Sequence, residues 1–430
     1  MDETSRGPVK AIVLGAGYRG RAYAAYAAER PEMLEIVGVA DPEQAETIPS
    51  PSYWSDWRDC LATRPDAELA FITLPDALHY DAAMMALDKG YNLLLEKPIA
   101  TTEAGCREII DLANAKGLLV IAGHVLRHTR YFAHIKAILD SGTLGDVVSI
   151  AQQESAGYFK AAHSLCRGNW ANAAKASPII LQKCSHDFDL FAWWLGRRCR
   201  RVSSFGSIGV FRKENRPEGS ADRCTECPES IERGCAWSAR KMYLDDGSRL
   251  DYMFADKSRE AMERVVRETG FGRCVYACDN DVPDHQVVNM EFDGGATASL
   301  VMSGLTERNV RTTRISCTCG EIVGDGTTLH ICRFSDGKTW DIRHDASGAG
   351  TSPLLEQFPG GAAAVVRAPS ANASRHGGGD FNLVSEAIRL ARRGSLEEKR
   401  NTTVQSLESH LIAFAAEESR LGGGKVVELK

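Results

Sequence analysis

The residues Gly15-Ala16-Gly17-Tyr18-Arg19-Gly20 have the types and spacing of a phosphate cradle. In a G-x-G-x-x-G turn, Gly15 allows the tight bend and Gly17 lets the backbone approach a pyrophosphate. Gly20 lets the following helix pack closely, and that helix's first N–H groups, with Tyr18 and Arg19 among its opening residues, face the phosphates. Asp41 ends the next apolar run. A carboxylate there accepts hydrogen bonds from the adenosine ribose and repels a 2′-phosphate, so NAD is expected rather than NADP. Asp41-Pro42-Glu43 reads otherwise as a plain turn. Glu96-Lys97-Pro98 offers a second chemistry. A lysine at the carboxyl end of a strand can hydrogen-bond a reacting hydroxyl, stabilise the developing alkoxide and touch a nicotinamide ribose.

A third group is made of thiols. Of thirteen cysteines, five lie between Cys224 and Cys278, starting with Cys224-x-x-Cys227 and continuing through Cys235 and Cys274. Structural Zn²⁺ held by Cys224, Cys227, Cys235 and Cys274 is the expectation, with Cys278 able to replace Cys274. Free or redox-active thiols and an iron–sulfur cluster are the other readings.

These residues need elements to position them. Val9–Leu14, Leu34–Ala40, Leu69–Thr73, Asn92–Glu96 and Leu118–Ala122 are too apolar for a half-exposed strand and predict a parallel sheet buried on both faces. Between them lie amphipathic helices. One carries Leu78, Ala82, Met85 and Ala86 and stops at Gly90. Another carries Cys106, Ile109, Ile110 and Ala113, starts after Thr101 and Thr102, and stops at Gly117. The alternation predicts a doubly wound Rossmann domain over residues 1–125. Beyond it, Val287–Phe292 and Ala296–Met302 flank Asp293-Gly294-Gly295, and Leu329–Phe334 and Thr339–Arg343 flank a second turn. Residues 126–430 are therefore expected to form an α+β domain with a largely antiparallel open sheet, carrying a cysteine-rich insertion at about 212–284. Residues 345–379 read as a long mobile loop. A last helix is predicted over 404–420.

Bulk properties bound the rest. A chain of 430 residues, 43% hydrophobic and 25% charged, fits a globular protein of two domains. Its net charge of −6 and the lack of a basic stripe exclude nucleic acid and anionic membranes as expected partners. Met1–Lys10 is polar, and no apolar run is long enough to span a bilayer, so a cytoplasmic location is expected.

Together these motifs resemble the glucose–fructose oxidoreductase, inositol dehydrogenase and MocA family (Gfo/Idh/MocA), over nearly the whole chain. The matching residues are Gly15–Gly20, Thr73-Leu74-Pro75 with His79, Glu96-Lys97-Pro98, Arg127, Gly142-Thr143-Leu144-Gly145 and His186-Asp187-Phe188-Asp189. The resemblance implies that Thr73, Pro75, His79 and Glu96 border the NAD site. It also implies that Lys97 and His186 flank the carbon that exchanges hydride, with His186 as general base. Many members carry an Asp four residues before this His. Here Gln182 stands there, beside Lys183, which implies a rewired proton relay with Lys183 in the pocket.

By the same resemblance, Arg127, Tyr158, His163, Arg167 and Trp170 reach toward a sugar, whose ring suits aromatic faces and forked donors. His376, in the glycine-rich stretch before Asp380, could cover the pocket. The implied function is NAD-dependent hydride transfer at a secondary hydroxyl of a sugar, glycoside or polyol, in a homodimer or homotetramer. A glycosidase working through a transient 3-keto sugar with NAD recycled is a second reading. A non-catalytic sugar- or NAD-sensing regulator is a third.

Overall fold

The computed structural model describes residues 7–63, 66–245, 256, 258–344 and 377–429. The first sheet contains β1 (Val9–Leu14), β2 (Leu34–Ala40), β3 (Tyr53–Trp54), β4 (Leu69–Ile72), β5 (Asn92–Leu95) and β6 (Val120–Ala122). All pairings are parallel, in the order β3-β2-β1-β4-β5-β6. Helices α1 (Tyr18–Glu29), α2 (Trp57–Thr63), α3 (His79–Asp88) and α4 (Glu103–Lys116) cover it. The strands are apolar because both faces are buried: Val13 and Phe71 face one core, Ile12 and Ile72 the other. Helix α4 starts where Thr102 accepts the Gly105 N–H and ends at left-handed Gly117. The short strand β3 was missed because two residues carry no readable period.

The second domain opens with α5 (Arg130–Asp140) and β7 (Val147–Ser155). Next come α6 (Tyr158–Lys160), which widens into a π-type turn over Ala161–Arg167, and then α7 (Ile179–Leu195) and β8 (Cys199–Ser207). The insertion contributes α8 (Glu229–Glu232) and α9 (Arg259–Glu268). After it follow β9 (His285–Phe292), β10 (Thr297–Ser303), β11 (Val310–Cys317), β12 (Gly320–Gly324), β13 (Thr328–Arg333) and β14 (Thr339–Arg343). With β15 (Val427–Glu428) these make a nine-stranded sheet, β14-β13-β12-β11-β7-β10-β9-β8-β15, antiparallel except for β7 with β10. Both hairpins expected from the glycine turns are present.

The division at residue 125 needs one correction. Helix α10 (Gly379–Arg393) puts Phe381, Leu383, Val384 and Ile388 into the core of the first domain. Helix α11 (Leu396–Leu421), which starts at a Ser395–Glu398 capping box, then seals that sheet's edge. Its Thr403 and Ser406 accept the Val120 and Ala122 N–H groups of β6, the outermost strand. An amphipathic helix joins whichever apolar face is open, whatever its place in the chain.

Candidate active site

The glycine turn is built as its residue types require. Gly15 has φ +95°, and a Cβ there would stand 2.7 Å from the Thr73 carbonyl. A Cβ on Gly20 would stand 2.0 Å from the Gly15 carbonyl, whereas one on Gly17 would meet nothing within 4 Å. Gly17 thus presents open backbone at the N-terminus of α1. Thr73 clamps the turn by donating to the Gly15 carbonyl at 2.6 Å. Asp41 braces it from the other side, accepting the Ala16 N–H at 2.8 Å and the N–H groups of Glu43 and Gln44. Tyr18 and Pro75 are exposed beside it.

Arg19 and Glu96 are placed differently from a simple ligand-facing pair. Arg19 donates to Glu96 (2.6 Å), Tyr23 (2.8 Å) and Asp380 (2.7 Å), and Tyr23 donates to Glu96 at 2.5 Å. This network ties α1, the end of β5 and α10 together. Burial alone would raise the Glu96 carboxyl, but Arg19 and Lys97 hold it below the usual carboxylate range. Among the described residues, Arg19 Nη1 is buried with no hydrogen-bond partner, which leaves one cationic donor for a bound anion. His79 is buried, its ring nitrogens 2.6 Å from the Pro98 carbonyl and 2.8 Å from that of Leu74. It fixes the exits of β4 and β5 rather than facing a ligand.

Lys97 stands at the carboxyl end of β5, before a cis peptide to Pro98. Its Nζ donates to the Gln182 carbonyl on α7 at 2.9 Å, across the boundary between domains. Burial lowers its affinity for a proton; Glu96 and Asp76 oppose that, while Lys183 and Arg19 add to it. His186 lies one helical turn beyond Gln182 on α7, half-buried, with its ring 5.8 Å from that of His124 in an edge-on contact. His124 in turn sits 3.1 Å from Asp189.

Lys183 is not loose in the pocket: it pairs with Glu154 on β7 at 2.5 Å. Glu154 also binds Arg311 of β11 at 2.9 Å, and Arg311 reaches Asp187 at 2.7 Å. Gln152 donates to Asp187 and accepts from Thr313 at 2.7 Å. Lys160, at the end of α6, feels the charges of Lys183, Glu154 and Arg311, and its ammonium stands 5.9 Å from the Trp170 ring centre. Lys183, then burial, lowers it to about 7.

Two of the arginines expected at a sugar are committed elsewhere. Arg127 forms a forked pair with Asp189 (Nε to Oδ2 2.8 Å) and also reaches Gln405. Arg167 donates to the Arg273 carbonyl at 2.7 Å and the Trp237 carbonyl at 2.6 Å, which directs it into the insertion. His163 is buried against Tyr243 (2.8 Å) and stacked on Phe271 at 4.5 Å; burial lowers it to about 4. Tyr158 packs edge-on against Trp237. His376 lies outside the described residues.

The four expected metal ligands come together: Cys224, Cys227, Cys235 and Cys274 line one small cavity with Tyr276 and Glu232. Their side chains do not form a ready metal cage. Among the described residues no three His, Cys, Asp or Glu side chains are set to hold an ion. Cys278 turns away, giving its S–H to the Cys274 carbonyl at 3.4 Å.

Sequence reasoning did not find Lys160, Glu154, Arg311 or His124. Glu154 and Arg311 sit on strands β7 and β11, which had not been recognised. His124 carried a readable signal, directly after Gly123 at the carboxyl end of β6.

Comparison with known proteins decides the family. Residues 9–124 match its NAD-binding Rossmann domain, and residues 136–353 match its C-terminal alpha/beta domain. The chain belongs to the Gfo/Idh/MocA oxidoreductase family. Within it, the chain is similar to a 2,7-anhydro-N-acetylneuraminate hydratase of Mediterraneibacter gnavus, 30% identical over 144 residues (32% of this chain, 37% of that protein). An inositol 2-dehydrogenase of Gluconacetobacter diazotrophicus is 29% identical over 137 residues (31% and 37%). The chain thus spans well under half the length of either relative. The structure of a levoglucosan dehydrogenase with NADH and levoglucosan shares the fold (TM-score 0.69, 18% identity, 98% of this chain and 99% of that one). Among the described residues, no helix is long and apolar enough to cross a membrane.

Proposed function

We propose that this member of the family transfers hydride between a secondary hydroxyl of a sugar, glycoside or polyol and NAD. One observation carries the reading: Lys97 from the first domain hydrogen-bonds the helix of the second that bears His186, one turn away. That contact supports a group at the end of β5 and a base on α7 acting on one substrate. The open backbone of Gly17, the unpartnered Arg19 Nη1 and the carboxylate of Asp41 fit a dinucleotide pyrophosphate and ribose, and Asp41 favours NAD over NADP.

When bound, NAD⁺ supplies the hydride acceptor. Lys97 donates a hydrogen bond to the substrate oxygen and stabilises its developing negative charge. His186 takes the hydroxyl proton, and the edge-on His124, held by Asp189, keeps its ring in place. The name of the hydratase relative keeps a redox-neutral variant in view, in which NAD is recycled while a bond to the sugar is cleaved.

The test is a panel of sugars, polyols and aryl glycosides with the purified protein, following NADH absorbance and aglycone together. Stoichiometric NADH supports the dehydrogenase, and aglycone release without NADH supports the recycled form. Lys97→Met is expected to lower kcat at least ~100-fold with NAD affinity within about threefold of wild type. Full activity in that variant sinks the assignment.

Two further features belong to this reading. The shared cavity and the C-x-x-C spacing support a structural Zn²⁺ on Cys224, Cys227, Cys235 and Cys274 once the four thiols draw together as thiolates. Metal analysis of the purified protein should find about one zinc per chain, reduced in Cys227→Ser. Exposed apolar residues on the face of the large sheet that the described residues leave uncovered support a homodimer or homotetramer.

A further inference from the structure

Lys160 is the feature that the proposed chemistry does not use. It is half-buried at the end of α6, and three cations act on it: Lys97 from the turn after β5, Lys183 from α7 and Arg311 from β11. Glu154 acts on it in the opposite sense, but its two oxygens are already engaged, by Lys183 at 2.5 Å and Arg311 at 2.9 Å. Asp187 is likewise held by Arg311 and Gln152. Among the described residues no carboxylate comes within ion-pair distance of the Lys160 ammonium; its contact is the face of Trp170. Placing a half-buried cation among like charges is costly unless an anion joins them.

Resting on the reading of this cleft as a sugar site, we propose that the substrate is an acidic sugar or polyol, its carboxylate or phosphate held by Lys160 and Lys183 beside Lys97. A fixed ammonium pair suits either anion as a point-charge partner. Glu154 and Arg311 hold Lys183 in place, and Trp170 offers its face to the ring of the same ligand. With no anion beside it, repulsion from Lys183 together with burial lowers Lys160 to about 7, so at pH 8 it is largely neutral. An anion restores the charge, and binding then takes up a proton.

The experiment is calorimetry with the NAD⁺-loaded protein at pH 8, in buffers of differing ionisation enthalpy. The ligands are matched sets: D-glucose, D-glucuronate and glucose 6-phosphate, then D-galactose, D-galacturonate and galactose 6-phosphate, with malonate and inorganic phosphate as bare anions. At least one anion should bind ~10-fold or more tighter than its neutral counterpart, with uptake approaching one proton. The uronate and phosphate arms tell which anion is meant. Lys160→Met should abolish both preference and uptake. Lys160→Arg should keep the preference and lose the uptake, because a guanidinium stays charged. The proposal is overturned if neutral sugars bind as well as the anions, if no probe saturates by about 50 mM, or if Lys160→Met keeps the preference. Anion binding without any hydride transfer would leave this proposal standing and remove the dehydrogenase reading; hydride transfer from neutral sugars alone would do the reverse.

Discussion

His410, on the last long helix, accepts the Ile99 N–H at 2.9 Å and donates through Nδ1 to the Ser406 carbonyl at 2.9 Å. It thereby fixes the turn that carries Lys97, and a proton on Nε2 would remove the acceptor. Burial, with His124 beside it, lowers the ring to about 3. An unfolded histidine titrates at about 6.5. Between those values the unfolded chain binds more protons than the folded one, so stability is present above pH 6.5 and is lost as pH falls toward 3. His128 and His134, both lowered to about 3, add in the same direction. Urea unfolding from pH 7.5 to 4.5 should therefore show a falling midpoint. His410→Gln should be less stable at pH 7.5 yet lose about 1–3 kcal/mol less on acidification; parallel pH slopes for the two proteins would refute the role. At this scale the sequence was legible where a residue type has one use. Gly15 and Gly20 fall in that class. Arg127 and Arg167 do not, because a guanidinium serves a buried carboxylate or a backbone carbonyl as well as a sugar, and only tertiary placement decides.

Elements raise a different dependence. The parallel strands β1, β2 and β4 are buried on both faces, and one of those faces is covered by Phe381, Leu383, Val384 and Ile388 of α10. Residues 7–128 alone would expose that face and leave the β6 edge without Thr403 and Ser406. That fragment should fail to give a cooperative thermal transition, although its motif for NAD is complete; cooperative unfolding with NAD binding would contradict the packing argument. Gly20→Ala tests the neighbouring junction. Its methyl would stand 2.0 Å from the Gly15 carbonyl, so α1 must shift, and NAD affinity should fall at least ~10-fold by titration while the chain stays folded. The strands of the first sheet could be read because continuous burial writes continuous apolar runs. Strands β7 and β11 escaped because they alternate, and their inward positions carry Gln152, Glu154 and Thr313, polar residues spent on an ionic cluster. A functional site hides strands in that way: it puts charge where a core pattern expects an apolar side chain.

For the whole molecule, the large sheet has one face packed under α7 and α11 and one face that the described residues leave open. On the packed side lie Val202, Val288, Leu300 and Ile315. On the other, Phe205 is 55% exposed and Val301 44%. The register puts them in one row, since both Phe205 and Val301 pair with Val287 of β9, between their strands. An apolar row across three neighbouring strands is poorly solvated and self-complementary about a two-fold axis, as a closed homo-oligomer requires. Light scattering behind size exclusion should give a dimer or tetramer at micromolar concentration. Phe205→Ser with Val301→Glu should give a monomer, because buried charge at the centre of an interface is costly while both sites are exposed in the single chain. The monomer should keep its fold and its NAD affinity, since the glycine turn and the Arg19 network lie in the other domain. A wild-type chain that runs as a monomer at tens of micromolar would show that this face stays open in solution.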